Sequence, residues 1–499
     1  MSYCGYVTTL KNVRQHPNAD RMKLADCFGN TVCVGLDAAE GEIGIYFPVD
    51  GQLSVEYCNE NNLVRRKDEN GNNVGGYLDP EKRNIRAIKL RGEKSDGLFM
   101  PISSVAYTGM NLDELDIGDT ITVLNGHDIC QKYIPKTKYV RTSAPANLKG
   151  RKSAPVAPLF QEHIDTEQLA YNLSAFKPGD EIEITLKMHG TSQRTANVPV
   201  LQPNRFSLQD SEIKSLILKM LPRGKLRNHL IGKWCGPVYD YDYINGTRRV
   251  VLESYDGGFY GSNEFREQHA KTFEGKLWKG ETVYYEVVGF THTGTPIMAS
   301  CPNSKVSDKE FTQQYGKETV FSYGCRPLGL DMNVNYFEGN IEEGIVKEYP
   351  QSDIYVYRMT MTNVDGNVVE YTPDFMRYRC EQMGVKTVPV LWKGVIPYTE
   401  DDLSSPIPGA RIMLKDGINA GEWIKNIAER FYDGPDPIGK THIREGVVVR
   451  ILNRPKFAAY KHKNFYFKVL EGIIKDTADA PDMEEASGLY DGNESSTES

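Results

Sequence analysis

The chain has 499 residues, of which 39% are hydrophobic and 25% charged, with a formal net charge of −8; this is a globular composition too long for one core, and two or three domains are expected. No apolar run approaches the ~20 residues of a bilayer-spanning helix, and the opening MSYCGYVTTLKNVRQ lacks a signal peptide's apolar core, so a cytoplasmic protein with no membrane partner is expected. The nine cysteines are scattered without a CxxC pair, which argues for reduced thiols and against a zinc site.

Residues 1–128 consist of short β-like runs, among them NTVCVGLD, GEIGIYFPVD, RNIRAIKLRG and DTITVLNG, punctuated by Gly, Asn and Asp. That pattern predicts a small all-β barrel or sandwich. Residues 129–164 contain no acidic residue before Glu162 but carry Lys132, Lys136, Lys138, Arg141, Lys149, Arg151 and Lys152 among Pro, Ala and Ser. This basic linker reads either as a solvated hinge or as a strap against a phosphate backbone. From 165 to 475 helix and strand signals mix. SLILKMLPRGKLRNHL and GEWIKNIAERFY have helical spacing; RVVLESY, TVYYEVVGF, DIYVYRMTMTNV, REGVVVRIL and NFYFKVLEG have strand character, so an α+β domain is predicted. The last residues, 476–499, carry eight acidic and no basic groups and read as a disordered tail. Without that tail the body holds 59 basic and 59 acidic residues, so the net charge does not argue against an anionic partner.

Within the α+β region, EIEITLKMHGTSQRT places Ile182, Ile184 and Leu186 on one strand face and Glu183, Thr185 and Lys187 on the other, with Gly190 permitting a turn just beyond. Four further stretches put polar or aromatic groups on one strand face: VYYEVVG with Glu286, DIYVYRMT with Tyr355 and Tyr357, REGVVVR with Glu445, and AYKHKNFYF with Lys461 and Lys463. Taken singly, each fits a blander role. A strand Glu is commonly solvated or paired, an aromatic pair is commonly core, and Lys-x-Lys is commonly surface.

Their order is more specific. Lys-x-x-Gly, strand Glu before Gly, paired aromatics, Glu-Gly before an apolar strand, then Lys-x-Lys resembles the covalent nucleotidyltransferases, the ligases and mRNA capping enzymes. The resemblance makes Lys187 with Gly190 motif I, Glu286 motif III, Tyr357 motif IIIa, Glu445 motif IV, and Lys461 with Lys463 motif V. It implies ATP and Mg²⁺ (or Mn²⁺) as cofactors, and Lys187 as the nucleophile that attacks the α-phosphate to give a lysyl-AMP. A lysine amine, with an ordinary pKa of about 10.4, needs desolvation or nearby cations to act so near neutrality. The motif V lysines and a divalent metal supply such a field. Glu286 and Glu445 are oxygen ligands suited to that metal, or to holding a ribose hydroxyl, and an aromatic such as Tyr357 can stack on adenine.

Within the superfamily, TLKMHGTS resembles the Lys-x-His-Gly form of the Deinococcus-type RNA ligases, which adds Thr185 and His189 to the nucleotide site. That family is similar in order too: an N-terminal OB-like β-barrel module, here resembled by HPNADRMKLADCFG and the run Arg86 to Met100, followed by an ATP-grasp-like nucleotidyltransferase domain of antiparallel sheets with flanking helices. Little chain follows Lys463, whereas DNA ligases and capping enzymes resemble one another in a further OB domain there. In INGTRRVVL, Arg248 and Arg249 fall where the family holds nick phosphates, or they are an exposed strand start. The implied substrate is RNA or an RNA/DNA duplex nicked between a 5′-phosphate and a 3′-hydroxyl, with RNA on the hydroxyl side. Three departures stand out: a long insertion bearing KMLPRGKLRNHLIGK, Tyr where the family has Phe in motif IIIa, and Lys468 as a second register for motif V. A DNA ligase of unusual architecture and a non-catalytic RNA-binding protein are the rival readings.

Overall fold

The computed structural model describes residues 3–71, 73–134, 156–208, 217, 219–222, 224, 235–248, 250–252, 255, 263–327, 336–340, 345–397, 418–454 and 456–476. Six basic residues of the expected strap, Lys136, Lys138, Arg141, Lys149, Arg151 and Lys152, lie outside them, as do Arg249, most of SLILKMLPRGKLRNHL and residues 477–499.

In the N-terminal part β1 (Gly5–Thr9) pairs antiparallel with β2 (Ile43–Phe47), which pairs in turn with β3 (Leu98–Pro101). A three-stranded meander of Lys11–Gln15, Lys23–Cys27 and Asn30–Val34 packs alongside. The apolar run IGIYF is continuous because β2 is covered on both faces. Ile45 and Phe47 join a cluster with Val7, Leu53 and Ile129, while Tyr46 joins Leu10, Ala25, Val32 and Phe99. The packed structure continues past residue 128, which corrects the linker boundary. Cys130–Lys132 pairs with Gly51–Leu53, and Tyr133 is buried. At the linker's other end Phe160 is buried against Ala196, Val198 and Ile244, and the Arg194 guanidinium donates to the Phe160 and Gln161 carbonyls.

The larger part contains two antiparallel sheets. Its elements in chain order are β4 (Glu181–Lys187), β5 (Thr191–Leu208), β6 (Cys235–Gly246), β7 (Glu281–Gly289), β8 (Ser352–Thr362), α1 (Pro373–Met383), β9 (Val390–Val395), α2 (Ala420–Glu429), β10 (Gly446–Ile451), β11 (Ala458–Lys463) and α3 (Phe465–Asp476). One sheet runs β11-β10-β4-β9, with Glu167–Gln168 added in parallel on β11; the other runs β6-β5-β7-β8, with Val368–Glu370 on its edge. The period-two reading of β4 holds: Ile182 and Ile184 pack with Val447, Val449 and Ile451 under α2, while Glu183, Thr185 and Lys187 face the other way. Leu186 and Met188 join Val288 and Tyr355 of the second sheet and Phe467 and Leu470 of α3 in a shared core. The second sheet's far face, with Val283, Tyr285, Val287 and Val356, packs on Met376 and Cys380 of α1.

Two strand assignments are overturned. NFYFKVLEG forms α3, because the Asn464 side chain caps it, accepting from the Tyr466 and Phe467 amides at 2.7 and 3.2 Å. Its apolar residues at helical spacing, Phe467, Leu470 and Ile474, then enter the core together. In RVVLESY, among the described residues 250–252 and 255, only Val251 forms a strand bridge, to Gly246. The long β5–β6 hairpin was not foreseen; TSQRTANVPVLQPNRFSL is polar and holds two prolines, both of which weaken a strand signal.

Candidate active site

The chain changes sheets between Lys187, the last residue of β4, and Thr191, the first of β5. Two contacts pin this turn. The His189 amide donates to the Tyr323 hydroxyl at 2.7 Å, and the Gly190 amide donates to Glu286 Oε1 at 3.1 Å. Glycine is required at 190 by space: a Cβ there would lie 2.4 Å from the Val287 carbonyl oxygen and 2.9 Å from Glu286 Cγ. Glu445 enters from the other side, one residue before β10. The adjacent Gly446 has φ +149°, and a Cβ on it would lie 2.1 Å from the His462 carbonyl oxygen, so this position too excludes a side chain.

Lys187 Nζ lies 2.6 Å from Glu445 Oε1, and Lys463 Nζ lies 3.6 Å from the same oxygen. Glu445 is only 2% exposed. Burial alone would raise its pKa, but the ammonium groups of Lys187 and Lys463 outweigh that and hold it below the usual carboxylate value. It is therefore charged at neutral pH. His189 stands 3.8 Å from Glu445 Oε2, its ring edge-on to Phe321 and Phe467. Burial pushes its pKa down to about 4 despite Glu445 and Glu471, so its imidazole is neutral at pH 7.

Two cavities open beside Lys187 and share Met188, Glu286, Lys461 and Arg248 in their walls. The smaller, about 140 Å³, is lined by Thr185, Tyr357, Val448 and Phe457, with Glu183 and Arg377 among its polar walls. The larger, about 260 Å³, reaches the N-terminal part and is lined by Glu445, His189, Lys463 and Lys468 together with Tyr6, Asp50 and Asp96. Both cavities combine aromatic and cationic groups: Tyr357 and Phe457 stand with Arg248, Arg450 and Lys461 in the smaller, and Tyr6 with Lys461, Lys463 and Lys468 in the larger, a mixture suited to a ligand with a planar ring and a phosphate chain.

The residues of the alternatives left open by the sequence lie in different surroundings. Tyr355 is core, its hydroxyl 3.3 Å from Asp353, whereas Tyr357 faces the smaller cavity and bonds Ser192 Oγ at 2.9 Å. Lys461 and Lys463 lie on β11 beside β10. Lys468 lies on α3 and makes a 2.5 Å ion pair with Asp96 of the N-terminal part. Arg248 sits in both cavity walls, 3.1 Å from Asp165. Sequence reasoning missed the bidentate Glu183–Arg377 pair at 3.1 and 2.8 Å, because a strand Glu gives no sign of burial. It also missed Glu471, which the strand reading of its segment concealed.

Among the described residues no cluster of three His, Cys, Asp or Glu could hold a metal by itself. Glu286 and Glu445 nevertheless line the same cavity, and Glu445 Oε2 is buried with no hydrogen-bond partner among the described residues. A buried, charged, unsatisfied carboxylate oxygen beside a second carboxylate fits a divalent cation whose remaining ligands are water and phosphate oxygens. No described helix is long and apolar enough to cross a membrane.

No protein-family model and no curated protein matches the sequence. Solved structures of Naegleria gruberi RNA ligase are similar over nearly the whole length. A mutant with AMP and Mn aligns with 93% of this chain and 97% of its own at 15% identity and a TM-score of 0.49. An apo mutant aligns with 94% and 97% at 15% identity and a TM-score of 0.48, and the ligase with PPi with 95% and 98% at 15% and 0.46. The functional reading rests on the site's own geometry.

Proposed function

We propose that the chain is an ATP-dependent RNA ligase that seals a 5′-phosphate to a 3′-hydroxyl through a lysyl-AMP on Lys187. The observation that carries this reading is the position of Lys187 Nζ, 2.6 Å from a buried carboxylate and in the walls of two adjoining cavities, one holding Tyr357 and Phe457 and the other Glu445 and Lys463. Tyr357 offers its face to the adenine, with Val448 and Thr185 completing that pocket. Lys461, Lys463 and Arg248 offer positive charge to the phosphates. Glu286 orders the turn through the Gly190 amide while lining the phosphate side, and His189 supplies a neutral ring there.

In the first step the Lys187 nitrogen attacks the α-phosphorus; a P–N bond forms as the bond to the bridging oxygen breaks and pyrophosphate departs. The proton shed by Nζ has Glu445 Oε1, 2.6 Å away, as an acceptor. In the second step the adenylyl group passes to a 5′-phosphate oxygen, which breaks the P–N bond. In the third a 3′-hydroxyl attacks that phosphate and AMP leaves. A divalent metal held by Glu445 and Glu286 would neutralise charge on the α-phosphate and compete with the Lys187 ammonium for Glu445. The N-terminal part acts as an OB-like module and residues 165–475 as the adenylyltransferase domain. The substrate is a nick with RNA on the hydroxyl side, gripped through phosphates and A-form shape.

The test is incubation with Mg²⁺ and ATP labelled at the α-phosphate, after pyrophosphate treatment to strip any resident AMP, followed by a denaturing gel. Label on the wild type and none on Lys187→Ala is expected. An unlabelled wild type would sink the reading in favour of a binding protein. Sealing an all-DNA nick as fast as one with an RNA 3′-end would make it a DNA ligase.

A further inference from the structure

Six charges of alternating sign run in an unbroken line away from the nucleophile. Lys187 meets Glu445 at 2.6 Å, Glu445 meets Lys463 at 3.6 Å, and Lys463 meets Glu471 at 2.8 Å. Glu471 then meets Lys475 at 3.3 Å, and Lys475 meets Asp50 of the N-terminal part at 3.1 Å. The chain is largely shielded from water, with Lys463, Glu471 and Lys475 each 8–14% exposed at the side chain. The first three members belong to the transfer chemistry proposed above; Glu471 and Lys475 do not.

The local fold explains the arrangement. Asn464 ends β11 and caps α3, so the helix turns back over the strand it has just left. Glu471 and Lys475 are one helical turn apart on the face that looks onto Lys463. Both Glu471 oxygens accept from Lys463 Nζ, at 2.9 and 2.8 Å. A lysine carries a flexible four-carbon stem and a compact charge, and in a cavity of about 260 Å³ it would otherwise sample several positions. Glu445 alone, at 3.6 Å, is too distant to hold it by a hydrogen bond. The bidentate contact to Glu471 fixes the ammonium, and Lys475 fixes Glu471 from behind.

We infer that Glu471 is a positioning residue that holds the Lys463 ammonium in the phosphate side of the cavity, backed by Lys475. This rests on the proposed adenylyl transfer to Lys187. Correct placement matters because a cation misplaced by about 1 Å loses much of its effect on the transition state.

The test is single-turnover labelling of the full chain with α-labelled ATP, read as the maximal rate and the half-saturating ATP concentration. Glu471→Gln should lower the maximal rate about tenfold, with half-saturation changed by less than about threefold, and Glu471→Asp should restore part of the loss. The deciding comparison uses Lys463→Ala. If Glu471 acts through Lys463, adding Glu471→Gln to that variant slows it no further. Equal slowing in both backgrounds, or a wild-type rate for Glu471→Gln, overturns the inference while leaving the ligase reading intact. A wild type that takes no label overturns both. Should Glu471→Gln fail to fold by its melting curve, Lys475→Met takes its place. It should slow the wild type but not Lys463→Ala, and no slowing of the wild type overturns the inference.

Discussion

Asp308 offers a strong test of how the two parts of the chain are joined. One carboxylate serves three elements. Its Oδ1 accepts from the Glu310 and Phe311 amides at 3.0 and 3.1 Å, capping the helix Lys309–Tyr315. Its Oδ2 accepts from Lys89 Nζ of the N-terminal part and from the Tyr466 hydroxyl of α3, both at 2.7 Å. The cap is worth about 1 kcal/mol, and each charge-assisted bond about 1.5–3 kcal/mol. Lys89 and Tyr466 are part-buried and regain some water when the carboxylate is removed, so Asp308→Ala should cost about 2–4 kcal/mol. The Lys89 hydrogen bond, with those from Tyr466 and Phe311, outweighs burial and holds the Asp308 carboxyl well below its ordinary pKa. A depressed folded pKa means that the stabilisation is complete above the unfolded value of about 3.9 and is lost as pH falls below it toward the folded value. Urea unfolding midpoints of wild type and Asp308→Ala should therefore differ by a constant amount from pH 5 to 7 and converge in stronger acid. Equal midpoints at pH 7, or a gap that closes as pH rises, would refute this account.

Three further outcomes are expected. Gly190→Ala forces the Val287 carbonyl and Glu286 Cγ to move, so it should destabilise by about 1–3 kcal/mol and reduce lysine labelling by more than its melting curve explains; intact labelling would show that the turn is not pinned as described. Tyr357→Leu should raise the half-saturating ATP concentration about tenfold through lost stacking, with Tyr355→Phe leaving it unchanged, and the reverse pattern would exchange their roles. Glu183→Gln leaves the Arg377 guanidinium paired only to the exposed Asp374, 2.6 Å away, and thermal melts should fall by the equivalent of about 1–3 kcal/mol; a melt within about 0.5 kcal/mol of wild type would mean that Asp374 and solvent replace the lost contact fully.

How legible the site was depended on the kind of pattern each part left behind. Lys187, Glu286, Glu445 and Lys463 were legible only through the order of their motifs, which resembles that of the covalent nucleotidyltransferases, since each fits a blander role by itself; the structure brings all four to one cavity. The choice between Tyr355 and Tyr357 could not be made in advance. Both point to the same side of β8, and what distinguishes them is the register shift of β8 against β7 and how each packs with its neighbours. The α3 helix was misread because FYFKVL is rich in aromatic and branched residues, and the side chain that starts the helix, Asn464, is a weak signal beside that strand propensity. With the helix hidden, its i, i+4 pair Glu471–Lys475 had no helical face to occupy. Burial of Glu183 and Asp308 depends on partners about 200 residues away, which no local window contains.

The two sheets meet where the chain passes from Lys187 to Thr191. The chain crosses from β4 to β5 just after Lys187, and the Gly190 amide reaches Glu286 on β7, so this turn and β7 form one bonded unit. Gly446 lets β10 pass against the His462 carbonyl of β11, so these two strands form a second unit whose charges are Glu445 and Lys463. Lys187 lies between them, covalently part of the first and ion-paired to the second. Each glycine marks a point where neighbouring backbone leaves no room for a Cβ, and each adjoins a carboxylate whose position the close packing fixes. A substitution at either glycine therefore displaces a charge relative to Lys187. The glycines at 190 and 446 thus set where the charges around Lys187 lie as much as the charged residues themselves do.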